Sequence, residues 1–225
     1  MRNSDSSEWS VWQLADSAFP AGGFGHSGGL EASWQGGAVR ADADLSGFLR
    51  VSLSQVGHSQ VPFVAAVHRS RQLFSEIDQH CDVFLSNHVA NRASRAQGRA
   101  LLSSAESIYD HSALRDLRAE SRRLSLACHL PTVFGFLTAV LGIDASPACR
   151  LYLFVALRGI VSSAIRLGLV GPLKAQAMQH AICPFAEKVA RRSEGLSLDD
   201  AAQTAPVIEL FQANQDNLYS RLFQS

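Results

Sequence analysis

Asp44-Leu45-Ser46-Gly47-Phe48-Leu49-Arg50-Val51-Ser52-Leu53-Ser54-Gln55-Val56 sets its apolar residues Leu45, Phe48, Leu49, Leu53 and Val56 three and four positions apart. That spacing lines one face of an α-helix and does not fit a strand. Asp44 stands where an N-cap belongs. Working outward, the same period predicts helices near 76–87 (Ile77, Cys81, Phe84, Leu85), 91–108 (Ala93, Ala96, Ala100, Leu101) and 112–128 (Leu114, Leu117, Leu124, Ala127). Pro62 opens a helix carrying Phe63, Val64 and Val67. Pro131, Pro147, Pro172, Pro184 and Pro206 each sit where the first turn of a helix tolerates proline, with Ser146 as the cap before Pro147. Short helices are expected at Val11 to Ser17 and Leu30 to Trp34. Alternating β-branched runs are absent, so the expected fold class is all-α: a single domain of about eight to ten helices with a Gly-rich loop near the N-terminus.

The chain has 225 residues and 24.3 kDa, enough for one core to bury most of its apolar side chains. Twenty Lys+Arg cancel twenty Asp+Glu, and charged residues are 18 % against a usual ~25 %. No global field favours nucleic acid or a membrane. The cations are 18 Arg and only Lys174 and Lys188, a bias toward planar donors suited to interfaces. Such a neutral, apolar-rich chain is expected to be poorly soluble unless partners cover part of it. Cys81, Cys128, Cys149 and Cys183 are far apart and read as reduced thiols. Residues 1–8 are polar, without the apolar centre of a signal peptide, and are expected to form a flexible tail before a domain at 9–225. The expected location is cytoplasmic. The apolar stretch Leu151 to Val170 contains Arg158, Arg166, Gly159 and Gly168; each arginine at mid-bilayer would cost about 2.5–3.5 kcal/mol, so it reads as a core helix.

The loop Phe19-Pro20-Ala21-Gly22-Gly23-Phe24-Gly25-His26-Ser27-Gly28-Gly29 matches two motifs whose context fails. Gly23-x-Gly25-x-x-Gly28, with Asp44 downstream, fits a dinucleotide fingerprint, but Pro20 stands where a hydrophobic strand is required. Gly25-His26-Ser27-Gly28-Gly29 fits the G-x-S-x-G elbow of hydrolases, yet it comes before any sheet is built. The remaining reading is a compact turn anchored by Phe19 and Phe24. The eight histidines show no i, i+4 ligand pair and no H-E-x-x-H, and there is no P-loop. In Arg92 to Arg99 the arginines are read as spread around the helix, which disfavours RNA, while Ala93, Ala96, Gly98 and Ala100 admit a close neighbour. Arg158, Ser162 and Arg166 share a face, where an arginine is either paired internally or reaches a partner.

Several segments, taken in order, resemble the urease accessory protein UreF family. They are Leu14-Ala15-Asp16-Ser17-Ala18-Phe19-Pro20-Ala21-Gly22-Gly23-Phe24 with Ser27-Gly28-Gly29-Leu30-Glu31; Arg92-Ala93-Ser94 with Gly98-Arg99-x-Leu101-Leu102; His129-Leu130-Pro131-Thr132-Val133-Phe134-Gly135; Ser163-Ala164-Ile165-Arg166-Leu167-Gly168; and Leu218-Tyr219-Ser220-Arg221-Leu222-Phe223-Gln224-Ser225. His26, Gly28 and Gln215-Asp216 depart from the family's usual residues. The resemblance implies an all-α homodimer without enzymatic activity, catalytic residues, metal ligands or cofactor of its own. It implies action with UreD (also called UreH) and the GTPase UreG in nickel delivery to apo-urease, and so nickel cation binding by the assembly. It implies no nucleic-acid or membrane partner. The implied partner-binding residues are Pro20, Gly22, Gly23, His26, Leu30, Glu31, Arg92, Arg99, Arg166, Leu218, Tyr219, Arg221, Leu222 and Phe223.

The segment 214–225 reads as an amphipathic helical end with no surface of its own to dock on, ordered by UreD. Removal of 215–225 is then expected to leave a folded helical chain, and Ser27→Ala to be silent. Two alternatives remain open: a GTPase-activating protein inserting Arg166 or Arg99, and a serine hydrolase using Ser27.

Overall fold

A computed structural model describes the backbone of residues 4–225 and the side chains of 7–225. The described residues form eleven α-helices and no strand: α1 (Ser4–Ala15), α2 (Leu30–Gln35), α3 (Asp42–Ser59), α4 (Val61–Arg69), α5 (Phe74–Phe84), α6 (His88–Tyr109), α7 (Ser112–Leu124), α8 (Leu130–Val140), α9 (Ala145–Arg166), α10 (Pro172–Ser193) and α11 (Pro206–Ala213). The all-α expectation holds. The expected tail lies partly outside the described residues, and from Ser4 onward it is helix.

α8 is the centre of the fold. Its residues Pro131 through Thr138 are all buried, and it packs against α4, α5, α6, α7 and α9. Such close packing needs side chains removed at the crossings. A Cβ on Gly135 would lie 2.3 Å from the Val64 carbonyl oxygen of α4, and one on Gly98 of α6 would lie 2.0 Å from the Cys128 carbonyl oxygen. Both neighbours are backbone, which has nowhere to move. Arg158 and Arg166 lie on α9, which packs against α1, α2, α3, α4, α8 and α10. α9 is long and apolar enough to cross a membrane by length and composition, but 56 % of its most apolar window is buried inside the fold.

Four boundaries differ from the sequence reading. The α7 helix stops at Leu124, because Ser125 and Cys128 take left-handed φ of 54° and 57°. Asp44 is not the N-cap of α3; that position is Ala41, and the Asp44 carboxylate instead accepts from the Arg40 and Ala41 N–H groups. Asp144, not Ser146, is the N-cap of α9. Pro184 lies inside α10 rather than at a helix start; it is exposed, so the carbonyl that loses its amide partner lies on the solvent side.

Candidate functional site

The front loop turns through Gly22, a 3-10 turn at Gly23–Gly25, and Gly28 and Gly29, the three flanking glycines with φ of 71°, 62° and 85°. No other residue type enters that conformation at so little cost. Here the loop meets the end of the chain. The Gln224 N–H donates to the Gly25 carbonyl at 2.8 Å, and the Ser27 N–H and hydroxyl both donate to the Ser225 main-chain oxygen at 2.5 and 3.0 Å. His26 Nδ1 lies 2.7 Å from the Ser225 hydroxyl. Four residues beyond Ser27, the Glu31 carboxylate of α2 accepts from the Gln215 amide (2.7 Å) and from the Leu222 and Phe223 N–H groups (2.6 and 3.1 Å).

The C-terminal segment is therefore not a free amphipathic helix. After a 3-10 turn at Asn214–Asn217 it runs without helix to Ser225, and Gln215, Phe223 and Ser225 are buried in its own chain. The docking surface thought missing is the front loop, invisible to a reading of local pattern because it lies almost 200 residues away. Removal of 215–225 would strip Glu31 of all three donors. The Ser27 hydroxyl is buried and also accepts the Glu31 N–H at 3.3 Å, so Ser27→Ala would remove two hydrogen bonds from the clasp.

Arg166 of α9 closes this clasp. Its guanidinium lies 3.6 Å from the Phe24 ring centroid and 4.3 Å from that of Phe223, and it donates to the Phe24 carbonyl. Arg158 donates to the Ala15 carbonyl of α1. Both arginines tie elements together through carbonyls and rings, and neither has a carboxylate among the described residues at ion-pair distance.

Along α6, Arg92, Arg95 and Arg99 line one open groove with His88, Asn91 and Asp82. This corrects the reading that they spread around the axis: positions i, i+3 and i+7 fall on one helical face. Arg92 holds Asp216 in a bidentate pair (2.9 and 3.1 Å), Asp216 also takes Arg221 at 3.1 Å, and Arg95 pairs with Asp82. The Arg99 Nε–H donates to the Ala127 carbonyl at 3.2 Å, and the rest of its fork faces the groove. Three arginines thus share two aspartates and Arg99 pairs with none, leaving a local positive surplus. Burial alone would raise the Asp82 carboxyl, but hydrogen bonds from Asn91, His129 and Arg95 outweigh it and hold the pKa at about 2.

Two of the motifs meet at His129, which is wholly buried. Its Nε2–H donates to Asp82 (3.0 Å), so Nδ1 accepts from the Ser94 hydroxyl (3.1 Å), while Ser94 Oγ accepts the Leu130 N–H (3.1 Å). Burial pulls the His129 pKa down, against the carboxylates beside it, which raise it. The Ser-His-Asp order is that of a relay, yet the Ser94 oxygen is committed to the first turn of α8 and fixes a helix junction. Asp78, one turn before Asp82, accepts the Cys128 and His129 N–H groups (2.8 Å each) and the Thr132 hydroxyl (2.6 Å). Neither aspartate stood out in the sequence; their i, i+4 spacing was the available signal.

The front-loop chemistries fall with the same geometry. With no strand among the described residues, neither a nucleophile elbow nor a dinucleotide turn has its platform, and Ser27 contacts the chain end and no imidazole. Of the residues implied as partner-binding, Pro20, Gly22, Gly23, Arg92, Arg99, Tyr219, Arg221 and Leu222 are exposed, and His26, Arg166 and Leu218 are half-buried. Leu30, Glu31 and Phe223 are buried, Leu30 in the apolar core and the other two in the clasp itself. Among the described residues, no three His, Cys, Asp or Glu side chains gather as a metal cluster.

The UreF family profile matches residues 39–183. Urease accessory protein F of Oryza sativa subsp. japonica is 36 % identical over 221 residues, covering 96 % of this chain and 84 % of that protein. Its counterpart in Arabidopsis thaliana is 35 % identical over 230 residues, covering 100 % and 95 %. Urease accessory protein UreF of Trichodesmium erythraeum (strain IMS101) is 33 % identical over 232 residues, covering 99 % of each. With the family's motifs brought together at the clasp and the α6–α8 junction, and likeness running the length of the chain, this protein belongs to the UreF family of urease accessory proteins.

Proposed function

We propose that this chain is a non-catalytic adaptor that joins UreD/UreH to the GTPase UreG and controls GTP hydrolysis while nickel is delivered to apo-urease. It works as a cytoplasmic homodimer and takes no cofactor. The observation that carries this reading is the clasp. It leaves the family's first and last signatures side by side, with Phe24, Tyr219 and Leu222 turned to solvent although all three are large and apolar. Burying such groups in a partner is favourable by about 25 cal/mol per Å². The arginine row on α6 joins this face through the Arg92–Asp216–Arg221 pairs and offers an acidic partner planar donors.

The test is co-expression with UreD and UreG. Tyr219→Asp and Leu222→Asp are expected to abolish co-purification with UreD while helical circular dichroism is retained; unchanged co-purification overturns the reading. The inserted-arginine alternative is favoured at Arg99, whose fork is open, over Arg166, which two rings and a carbonyl hold. Arg99→Lys that lowers UreG turnover by about 10³-fold with binding intact would establish it.

A further inference from the structure

Beneath the front loop, among α3, α6, α8 and α9, lies a cavity of about 470 Å³, a size that holds small ligands. Val56, Leu130, Phe134, Val155 and Ile160 give it an apolar wall. Three polar groups in that wall retain hydrogen-bonding capacity. Ser52 is 5 % exposed, and its hydroxyl has no partner among the described residues. Gln60 gives its Oε1 to the Tyr152 hydroxyl at 2.5 Å, leaving its amide N–H groups unspent. Arg158 reaches the Ala15 carbonyl and, among the described residues, no carboxylate at ion-pair distance; Asp16 acts on it only through space. All three are donors. The carboxylate in the wall, Glu209, is already engaged by the Gln55 and Asn87 amides.

We propose that this cavity binds a small carboxylic acid with an apolar body, its carboxylate on Arg158 and its body against the aliphatic and aromatic wall. A half-buried guanidinium without a counter-charge is costly, and a planar carboxylate matches its fork. An apolar body is what the remaining wall accepts. The proposal does not rest on the adaptor reading, since the residues that line the cavity belong to one chain.

Octanoate is the probe, with octanol as its uncharged counterpart and acetate as its headgroup alone, titrated calorimetrically into the full chain and followed by thermal melting. Saturable octanoate binding that raises the melting temperature is expected, as for any ligand that binds only the folded state. Octanol is expected to bind at least tenfold more weakly and acetate not measurably. Arg158→Gln should weaken octanoate at least tenfold and leave octanol unchanged. A Cβ on Gly159, which also lines the cavity, meets nothing within 4 Å, so the side chain of Gly159→Leu starts into open space, takes up cavity volume and should abolish binding. Absence of saturable octanoate binding, equal binding of octanol, or octanoate binding that survives either substitution overturns the proposal. Arg158→Gln decides alone if Gly159→Leu loses its helical circular dichroism.

Discussion

Asp78 and Glu31 are both buried carboxylates, each accepting three hydrogen bonds from a segment far along the chain, yet they fasten different things. Asp78 takes the Cys128 and His129 N–H groups and the Thr132 hydroxyl, so it locks α5 to the start of α8 in the middle of the core. Glu31 takes the Gln215 amide and two backbone N–H groups of the last four residues, so it locks the C-terminal strap to α2, just after the front loop. The local chemistry is the same. What differs is the number of other contacts that depend on it, and hence whether its loss is global or confined to the clasp.

The comparison breaks first at Asp78. Asp78→Ala leaves two buried N–H groups and a hydroxyl without acceptors and is expected to cost about 3–5 kcal/mol, read by urea unfolding under far-UV circular dichroism. A cost under about 1 kcal/mol would mean the core does not depend on this junction. Glu31→Gln is the next largest, expected at about 2 kcal/mol, because the amide turns a donor toward donors. Hydrogen exchange should rise at residues 222–225 while α4, α6 and α8 keep their protection. Loss of protection in those helices would show that the clasp is not separable from the core.

His26 sharpens the comparison through pH. Burial, and secondarily the Arg92 charge, lower its pKa from 6.5. The unfolded chain then binds protons more readily below about pH 6.5, so stability falls as pH drops from there. His129 acts in the same direction within the core. His26→Gln should therefore flatten the acid side of the stability profile only in part, and should remove the pH dependence of the protection factor, exchange relative to its intrinsic rate, at the Gln224 amide. An unchanged profile would show that this imidazole does not report on the clasp. Smallest is Asp216→Asn on the exposed arginine row: a loss within about 1 kcal/mol is expected, larger at low salt than at high salt. A loss as large as that of Glu31→Gln would erase the contrast between surface pairs and buried carboxylates.

Much of the fold was legible in local pattern, since helical period and proline placement mark helices that the core then keeps. Ile77 and Cys81, Leu114 and Leu117, and Phe63, Val64 and Val67 all face inward as their spacing requires. Errors fell where a local signal had a tertiary competitor. Pro184 is tolerated within α10 because it faces solvent. The turn at Ser125 ends α7 while apolar spacing continues. Leu222 and Phe223 look like one face of a helix but belong to an extended strap whose hydrogen bonds run to Glu31. Of the site, Arg92, Arg99 and the exposed aromatics could be named from motifs, whereas Asp78, Asp82 and Gln215 could not, because a lone polar residue carries no sign of its burial.

By itself the sequence determined the class of fold, the small residues around Gly98 that admit a close neighbour to α6, and the family, because these reside in residue type and spacing along one segment. Only the tertiary structure decided that the end of the chain seats on its own front loop, that two of the three arginines in the α6 row find acidic partners, and that two unrelated motifs share one buried histidine. Those are contacts between residues up to almost 200 positions apart. No local periodicity encodes such pairings; they exist once the helices have packed and burial has left each donor needing an acceptor within reach.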